Sequence, residues 1–353
     1  MKHPYSHAPK YTKWRSAVGE TALADVDPVV EFPFKIRRSD QIATAGSCFA
    51  QHIARAISSS GFNYYVAEPG HAFISDVANQ FGYGLFSARY GNIYTTRQLR
   101  QLIERALGLF DPQVKYWEST VGRFYDPFRP TVQPGGFRSY AEMRADVKQH
   151  LNHVRTMIEN LDYFVFTLGL TECWASAADG AVYPICPGVA AGEFNPEYHK
   201  FNNFGVDEVY SDLVAALELI RALNPRARVI LTVSPVALAA TAEDRHVITS
   251  TTYSKAVLRV VAERAIRTLP FTAYFPSYEI ITGSFNRTSY LADDLREVNA
   301  QGVAHVMRLF MKHATDPHSL ASPDIEMKVN SSDMIAAAGG MLQAECDEAL
   351  LGR

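Results

Sequence analysis

The features that mark secreted, membrane or nucleic-acid-binding proteins are missing from this sequence of 353 residues. Its N-terminus lacks the apolar core of a secretory signal, and no segment approaches the roughly 18 unbroken apolar residues of a membrane span. A formal net charge of -3 gives no broad positive field for nucleic acid or anionic lipid. We therefore expect a cytoplasmic globular protein with no nucleic-acid partner and no membrane span. The sequence leaves the oligomeric state open.

Cysteine is scarce and no pair of cysteines is closely spaced. The four cysteines form no Cys-x-x-Cys pair: Cys48, Cys173, Cys186 and Cys346. This spacing gives neither a zinc knuckle nor a disulfide framework. No cluster of histidine, cysteine and carboxylate residues has the spacing of metal ligands. The turn at Gly46 also lacks the spaced glycines of a dinucleotide or P-loop motif. We expect free thiols, no metal and no cofactor.

Hydrophobic periodicity predicts strands and helices that alternate along the chain. Strands are expected at 41–45, 62–67, 162–168, 228–233 and 271–275. Helices are expected at 49–61, 96–108, 143–158, 209–223, 249–269 and 299–313. Such alternation is typical of a parallel sheet covered by helices on both faces. The predicted fold class is therefore an α/β three-layer sandwich of flavodoxin-like type, with a central parallel sheet and long loop insertions.

Composition shifts suggest how this domain is organised. A single α/β domain is expected over 30–315, and 316–353 is expected to form a C-terminal arm. Within the domain, 68–136 is rich in glycine, proline and aromatic residues and is interpreted as an insertion that shapes a cleft. A second loop-rich stretch, 171–204, is expected to cross the surface near the strand ends.

Ser47 is the first candidate for chemistry, because it lies between a predicted strand and a predicted helix. Ligands of open parallel sheets bind at the carboxyl ends of the strands, where a serine hydroxyl can act as a nucleophile beside backbone N–H groups. The same position also suits a helix N-cap, so both interpretations stay open. The neighbouring Cys48 is a second possible nucleophile or substrate contact, since a helix N-terminus lowers a thiol pKa.

The string Thr-Ala-Gly-Ser-Cys-Phe-Ala at 44–50 resembles the defining motif of the GSCFA family, bacterial relatives of the SGNH/GDSL hydrolases. Supporting segments lie at 81–84, 167–172, 234–236 and 294–297, so the resemblance runs over about 30–315. It implies an SGNH-like fold. It also implies a serine-dependent ester hydrolase or acyltransferase that acts on a small ester or an acylated carbohydrate, with Ser47 as the nucleophile.

The resemblance assigns further roles by position and also departs from the family pattern. Gly84 is implied as an oxyanion N–H donor, and Thr171 takes the position of the usual oxyanion asparagine. In the last motif, Asp294 is retained but Glu297 stands where the catalytic histidine is expected. A serine needs a base with a pKa near neutrality, and a glutamate serves only where burial raises its pKa.

Another histidine can substitute for the missing base. His246 is preferred, because it lies in the loop after a predicted strand, and His199 in the second loop-rich stretch is next. Glu172 or Asp294 would then orient the imidazole as the third group of a triad. His52 and His305 are expected on helices in structural roles. For His246 and His199, the alternative is an exposed loop histidine without a catalytic role. For Glu172 and Asp294, the alternative is a carboxylate that caps a helix.

A second function competes with catalysis. The missing histidine and an aromatic-rich insertion are also typical of a non-catalytic carbohydrate- or glycolipid-binding module on the same fold. The aromatic residues concerned are Tyr83, Phe86, Tyr90, Tyr94, Tyr116, Trp117, Phe124 and Tyr125. They can stack on sugar rings or pack beneath a long loop. A histidine or carboxylate within reach of the Ser47 hydroxyl would distinguish catalysis from binding.

Overall fold

The computed structural model describes residues 3–71, 78, 80–316 and 350–351. The chain forms two compact units, one of Met1–Arg37 with Phe275–Gln343 and one of Arg38–Tyr274 with Ala344–Arg353. The strands all belong to the second unit: β1 (Ile42–Gly46), β2 (Trp117–Glu118), β3 (Phe124–Tyr125), β4 (Tyr163–Leu168), β5 (Glu172–Ser176), β6 (Val182–Tyr183), β7 (His199–Asn203), β8 (Arg228–Val233) and β9 (Thr272–Tyr274). Its helices are α1 (Phe49–Ser59), α2 (Thr96–Ala106), α3 (Tyr140–Asn160), α4 (Val206–Leu223) and α5 (Val247–Thr268).

The central sheet has four parallel strands in the order β1-β4-β8-β9. Every residue of β1 and β4 is buried, so both faces of the sheet are covered, as parallel sheets require. Helix α1 packs on β1 and β4, whereas α5 packs on β8 and β9. The predicted α/β class with a central parallel sheet is confirmed.

Helix starts follow from local sequence. Thr95 caps α2 by accepting the Gln98 N–H, and Ser139 caps α3 by accepting the Glu142 N–H. Along α3 the buried face contains Met143, His150, Val154, Met157 and Ile158, which recur at helical spacing. These caps and stripes explain why the helix predictions lie within a few residues of the observed bounds.

Two segments differ from their predictions. The expected strand at 62–67 is reduced to a single bridge between Tyr64 and Ile42, so the chain contacts the sheet there without continuing along it. The stretch 171–204 contains a three-stranded antiparallel sheet in the order β6-β5-β7. Its prolines and glycines lie in the connections, which concealed the strands between them.

The first unit contains α6 (Ser277–Thr282) and α7 (Ala300–Ala314), the latter close to its predicted span. Within this unit Asp27 accepts hydrogen bonds from Lys312 and His313, and Tyr290 bonds the buried His305 at 2.6 Å. The predicted C-terminal arm, with Cys346, lies outside the described residues except at its first position and at 350–351. Among the helices that the structure describes, none is long and apolar enough to cross a membrane.

Candidate functional site

Ser47 stands in a sharp turn between β1 and α1. Its N–H donates to the Thr167 carbonyl at 3.3 Å, and its carbonyl accepts the Ala50 N–H at 2.9 Å. The residue is 3% exposed, and across the described part of the chain its buried hydroxyl has no hydrogen-bond partner. The helix therefore does not use this hydroxyl as a cap. An unpaired buried hydroxyl costs about 1–3 kcal/mol, so its retention calls for a functional explanation.

Two glycines let the backbone approach Ser47 closely. Gly46 has a φ of 135°, and a Cβ there would lie 2.8 Å from the Thr167 nitrogen and closer still to its carbonyl oxygen. A Cβ at Gly169 would lie 3.0 Å from the Tyr94 carbonyl oxygen and 3.2 Å from the Ser47 Cβ. The turn after β4 therefore packs directly against Ser47, as the carboxyl ends of neighbouring parallel strands should.

Residues 91–94, which lie within the predicted cleft-shaping insertion, complete the surroundings of this turn. The Ile93 N–H donates to the Gly46 carbonyl at 2.8 Å, and the Tyr94 carbonyl accepts the N–H groups of Gly169 and Leu170 at 3.1 and 2.8 Å. The available signal was Gly91-Asn92, a turn dipeptide just before the cap of α2. Gly84, by contrast, lies exposed in a turn at a φ of 76°.

The loop after β4 is fixed by buried polar groups. The Thr171 N–H donates to the Ser254 hydroxyl at 3.1 Å, and its own hydroxyl donates to the Asn203 side-chain oxygen at 2.7 Å. The ammonium group of Lys255, a fully buried residue, donates to the Gly169 carbonyl at 2.7 Å. These contacts hold the Gly169 turn rigidly beside Ser47.

A cavity of about 270 Å³ has Leu170 and Tyr94, which adjoin the Gly169 turn, in its wall. Glu172 lies in its wall, where it accepts the Thr241 hydroxyl at 2.8 Å and the Ala242 N–H at 3.3 Å. Burial raises the pKa of the Glu172 carboxyl above its usual value, although these hydrogen bonds partly oppose the shift. The pKa of the Glu172 carboxyl is therefore shifted toward neutral pH.

The two candidate histidines of this unit both use Nδ1 as an acceptor. His246 is the N-cap of α5 and accepts the Ile248 N–H at 3.2 Å, while His199 on β7 accepts the Asn195 N–H at 3.0 Å. A neutral imidazole has one lone-pair nitrogen, so Nε2 of each ring carries the proton in this arrangement. Burial also lowers the pKa of His199. Neither ring hydrogen-bonds the Ser47 hydroxyl.

Asp294 and Glu297 belong to the first unit. Asp294 Oδ1 accepts the N–H groups of Arg296 and Glu297, both at 3.0 Å, which stabilises the turn before α7. Both side chains are exposed. The structure therefore gives Asp294 a local turn role, with Asn299 serving as the cap of α7.

Among the described residues, the cysteines and the side chains that commonly bind metals form no additional site. Cys48, Cys173 and Cys186 form no disulfide, and burial raises the pKa of Cys173 to about 12. Cys48 is buried at the cap position of α1. Over the described ranges, no group of three or more histidine, cysteine or carboxylate residues could hold a metal ion.

The insertion aromatics are mostly packed. Phe86, Tyr90, Tyr94 and Trp117 are buried, and Tyr116 packs on Phe124 and Tyr140 with ring centroids 5.5 and 5.0 Å apart. Tyr116 is itself 42% exposed. The cavity receives aromatic rings from β5, β6 and β7, through Trp174, Tyr183 and Phe201, and one from the insertion, through Tyr94.

Two buried histidines make stability depend on pH. Burial lowers the pKa of His52, five residues beyond Ser47, and of His150, which bonds Glu68 at 2.7 Å, to about 4 in each case. In an unfolded chain a histidine takes up its proton near its ordinary pKa of 6.5, where the folded protein still keeps both rings neutral. Their stabilising contribution is therefore complete above that value and is lost as pH falls toward 4.

We expect the free energy of unfolding to fall by about 3 kcal/mol per buried histidine between neutral pH and about pH 4. His52→Gln should remove one of these contributions, so its stability should fall less steeply over this range. Urea unfolding at several pH values measures the slope. The exposed His7→Gln is the control and should retain the wild-type slope; a His52→Gln slope equal to it would contradict the assignment.

The covered parallel sheet, with helices on both faces and Ser47 in the turn between β1 and α1, places this chain among the α/β proteins with a central parallel sheet. The chain belongs to the GSCFA family, whose sequence profile matches residues 41–310. No curated protein sequence gives a significant match.

Two solved structures show a distant likeness. One is a carbohydrate esterase family 3 protein from Talaromyces cellulolyticus, at 14% identity and a TM-score of 0.29, covering 77% of this chain and 94% of that one. The other is an acetyl esterase mutant with acetate ion, at 14% identity and a TM-score of 0.27, covering 76% of this chain and 93% of that one. Likeness at these scores carries no argument about function.

Proposed function

We propose that this protein is a serine-dependent ester hydrolase or acyltransferase of the SGNH type, with Ser47 as the nucleophile. The observation that carries the proposal is the buried hydroxyl of Ser47, which has no hydrogen-bond partner among the described residues. It stands at the carboxyl edge of the sheet, where active sites of such folds are found. The membership of the GSCFA family supports the same assignment.

In the proposed reaction, the Ser47 oxygen attacks the ester carbonyl carbon and loses its proton to a base. The tetrahedral oxyanion collapses, the bond to the alcohol oxygen breaks, and the alcohol leaves with a proton. Water then releases the acid, or an acceptor hydroxyl takes the acyl group. Backbone N–H groups beside the turn stabilise the oxyanion. The family pattern implies Gly84 and Thr171 for this role, but the Thr171 N–H and hydroxyl already donate to Ser254 and Asn203, and Gly84 is exposed.

We assign Glu172, which lies in the cavity wall, as the proton acceptor acting through water, since no described carboxylate hydrogen-bonds the Ser47 hydroxyl directly. Its raised pKa brings it closer to the range of an efficient base, and its two hydrogen bonds leave acceptor positions free on both oxygens. His246 and His199 are weaker assignments, since their lone-pair nitrogens already accept backbone N–H groups.

Catalysis also requires access to Ser47, which is 3% exposed. The side chains that cover it have to move aside before an ester carbonyl can reach the hydroxyl. Catalytic contacts often tighten only in the complex with substrate, so this closed arrangement is compatible with turnover. Glu172→Gln should lower the rate and remove the ionisation of this carboxyl from the pH–rate profile.

Ser47→Ala is expected to reduce the hydrolysis of p-nitrophenyl acetate by about 10³-fold or more, because the nucleophile is lost. The matched control is Ser234→Ala. That serine is equally buried just beyond the end of β8, but its hydroxyl accepts the Val236 N–H. We expect Ser234→Ala to retain activity. Equal rates for wild type and Ser47→Ala would contradict the proposed nucleophile.

A non-catalytic carbohydrate-binding role is the second candidate. It is favoured by the lack of any described histidine or carboxylate that hydrogen-bonds Ser47, and by the rings of Trp174 and Phe201 in the cavity wall, whose centroids are 5.5 Å apart. This role predicts that an acylated oligosaccharide binds wild type and Ser47→Ala equally, and that neither forms product.

A further inference from the structure

We propose that the cavity of about 270 Å³ beside the Ser47 turn is a binding site for a medium-length acyl chain. The inference rests on the proposed function for the identity of the reacting group. It goes further by naming the part of the substrate that is recognised, which is an aliphatic chain of about nine carbon atoms.

The walls of the cavity are largely apolar and come from sequence-distant segments. The larger side chains are Tyr94, Leu170, Trp174, Tyr183, Ile185, Phe201 and Leu238. Among the described lining residues, Glu172 is the one carboxylate, and there is no cationic group. A site of this composition favours an uncharged, apolar ligand.

The polar side chains in the wall are already engaged. Gln98 uses its amide oxygen and nitrogen to bind the Tyr94 N–H and the Asn92 carbonyl, both at 2.9 Å. The Thr241 hydroxyl donates to Glu172, and the Thr95 hydroxyl accepts the Gln98 N–H. A sugar ring has many hydroxyl groups that need partners when buried. The side chains of this wall have few unused hydrogen-bond donors or acceptors, so an acyl chain fits better than a sugar.

One end of the cavity is formed by Leu170, and the residue before it, Gly169, packs against Ser47. Leu170 and Tyr94 line the cavity, and the Leu170 N–H bonds the Tyr94 carbonyl at 2.8 Å. The preceding Gly169 places its backbone against Ser47, with the Cβ position of the glycine 3.2 Å from the serine Cβ. The cavity therefore begins one residue beyond the backbone that contacts Ser47, within reach of an acyl chain bonded to this serine.

The volume of the cavity limits the length of the acyl chain that it can hold. A methylene group is similar in size to a water molecule, which takes up about 30 Å³, so the cavity holds roughly nine such groups. An acetyl group would leave most of this space empty, whereas a hexadecanoyl chain would extend beyond it. Leu351 already contributes an aliphatic side chain to the wall, as expected of a site that accepts hydrocarbon.

The first test is the rate of hydrolysis of p-nitrophenyl esters from acetyl to hexadecanoyl. We expect kcat/KM to rise by about fourfold per added methylene, reaching a maximum near nine carbons. Ala240→Trp places a large side chain at an exposed position of the cavity wall and should move this maximum to shorter esters. Leu109→Trp, at a residue that is 66% exposed and outside the cavity, should leave the maximum unchanged.

The second test needs no turnover and separates the two proposals. Calorimetric titration of Ser47→Ala with 1-nonanol should show binding, and adding Ala240→Trp should weaken it by about tenfold or more. Binding of nonanol without hydrolysis of any ester would overturn the proposed function and leave the apolar site standing. Hydrolysis whose rate does not depend on chain length, together with no binding of nonanol, would overturn the acyl site and leave the proposed function standing.

Discussion

Gly46→Ala is expected to leave little folded protein. The added Cβ would clash with the Thr167 carbonyl oxygen and lie 2.8 Å from the Thr167 Cβ and nitrogen. These atoms belong to the neighbouring strand β4, so relief of the clash requires β1 and β4 to separate at their carboxyl ends. The φ of 135° adds strain for any residue with a side chain. The expected loss is at least about 4 kcal/mol, measured by urea unfolding or by the yield of soluble protein.

Gly122→Ala is the matched control for this substitution. Gly122 also has a positive φ, of 69°, but a Cβ there would have no atom within 4 Å. Its cost is therefore conformational strain alone, about 1–2 kcal/mol. If the two alanine variants lost the same stability, the close contact between Gly46 and Thr167 would not be what requires glycine at position 46.

Arg129→Met is the second substitution with a large expected effect. Arg129 is 4% exposed and binds Asp126 and Asp146, each at 2.7 Å, within a buried group of charges that also contains Arg89 and Glu68. Removing the guanidinium leaves the buried carboxylate of Asp126 and the partly buried carboxylate of Asp146 without this partner. We expect a loss of about 3–5 kcal/mol in urea unfolding at neutral pH, because uncompensated buried charge is costly.

The comparison variant is Arg155→Ala, which removes an ion pair with Glu159 whose side chains are 54% and 40% exposed. Its expected effect is within about 0.5 kcal/mol, since water screens such pairs. Arg129→Lys should not restore stability, because one ammonium group does not reproduce the two directed bonds of the guanidinium. Equal effects for Arg129→Met and Arg155→Ala would show that the buried charges are not coupled as described.

The sequence predicts the central sheet and its helices well, because their signals are local. The apolar runs at 163–168 and 228–233 are bounded by clear breakers, and α3 has a regular apolar stripe. The same physics fails at 171–204. There the strands are short and antiparallel, and their pairing depends on contacts between residues far apart in sequence, such as Trp174 with Phe201.

The site is predictable to a smaller extent. The location of Ser47 follows from a motif and its strand–helix context, both visible in sequence. The approach of residues 91–94 to the Gly46 turn cannot be predicted in this way. It depends on long-range hydrogen bonds that the Ile93 N–H donates and the Tyr94 carbonyl accepts. The engagement of His246 and His199 by backbone N–H groups is likewise visible only in three dimensions.

The central claim, that Ser47 is a nucleophile, is tested most directly by covalent labelling. The folded protein is treated with a fluorophosphonate, and the modified peptide is identified by mass spectrometry. The account predicts one phosphonylated residue, Ser47, and no labelling of Ser47→Ala, while Ser234→Ala is labelled like the wild type. Absence of labelling in the wild type, or equal labelling of Ser47→Ala, would contradict the claim.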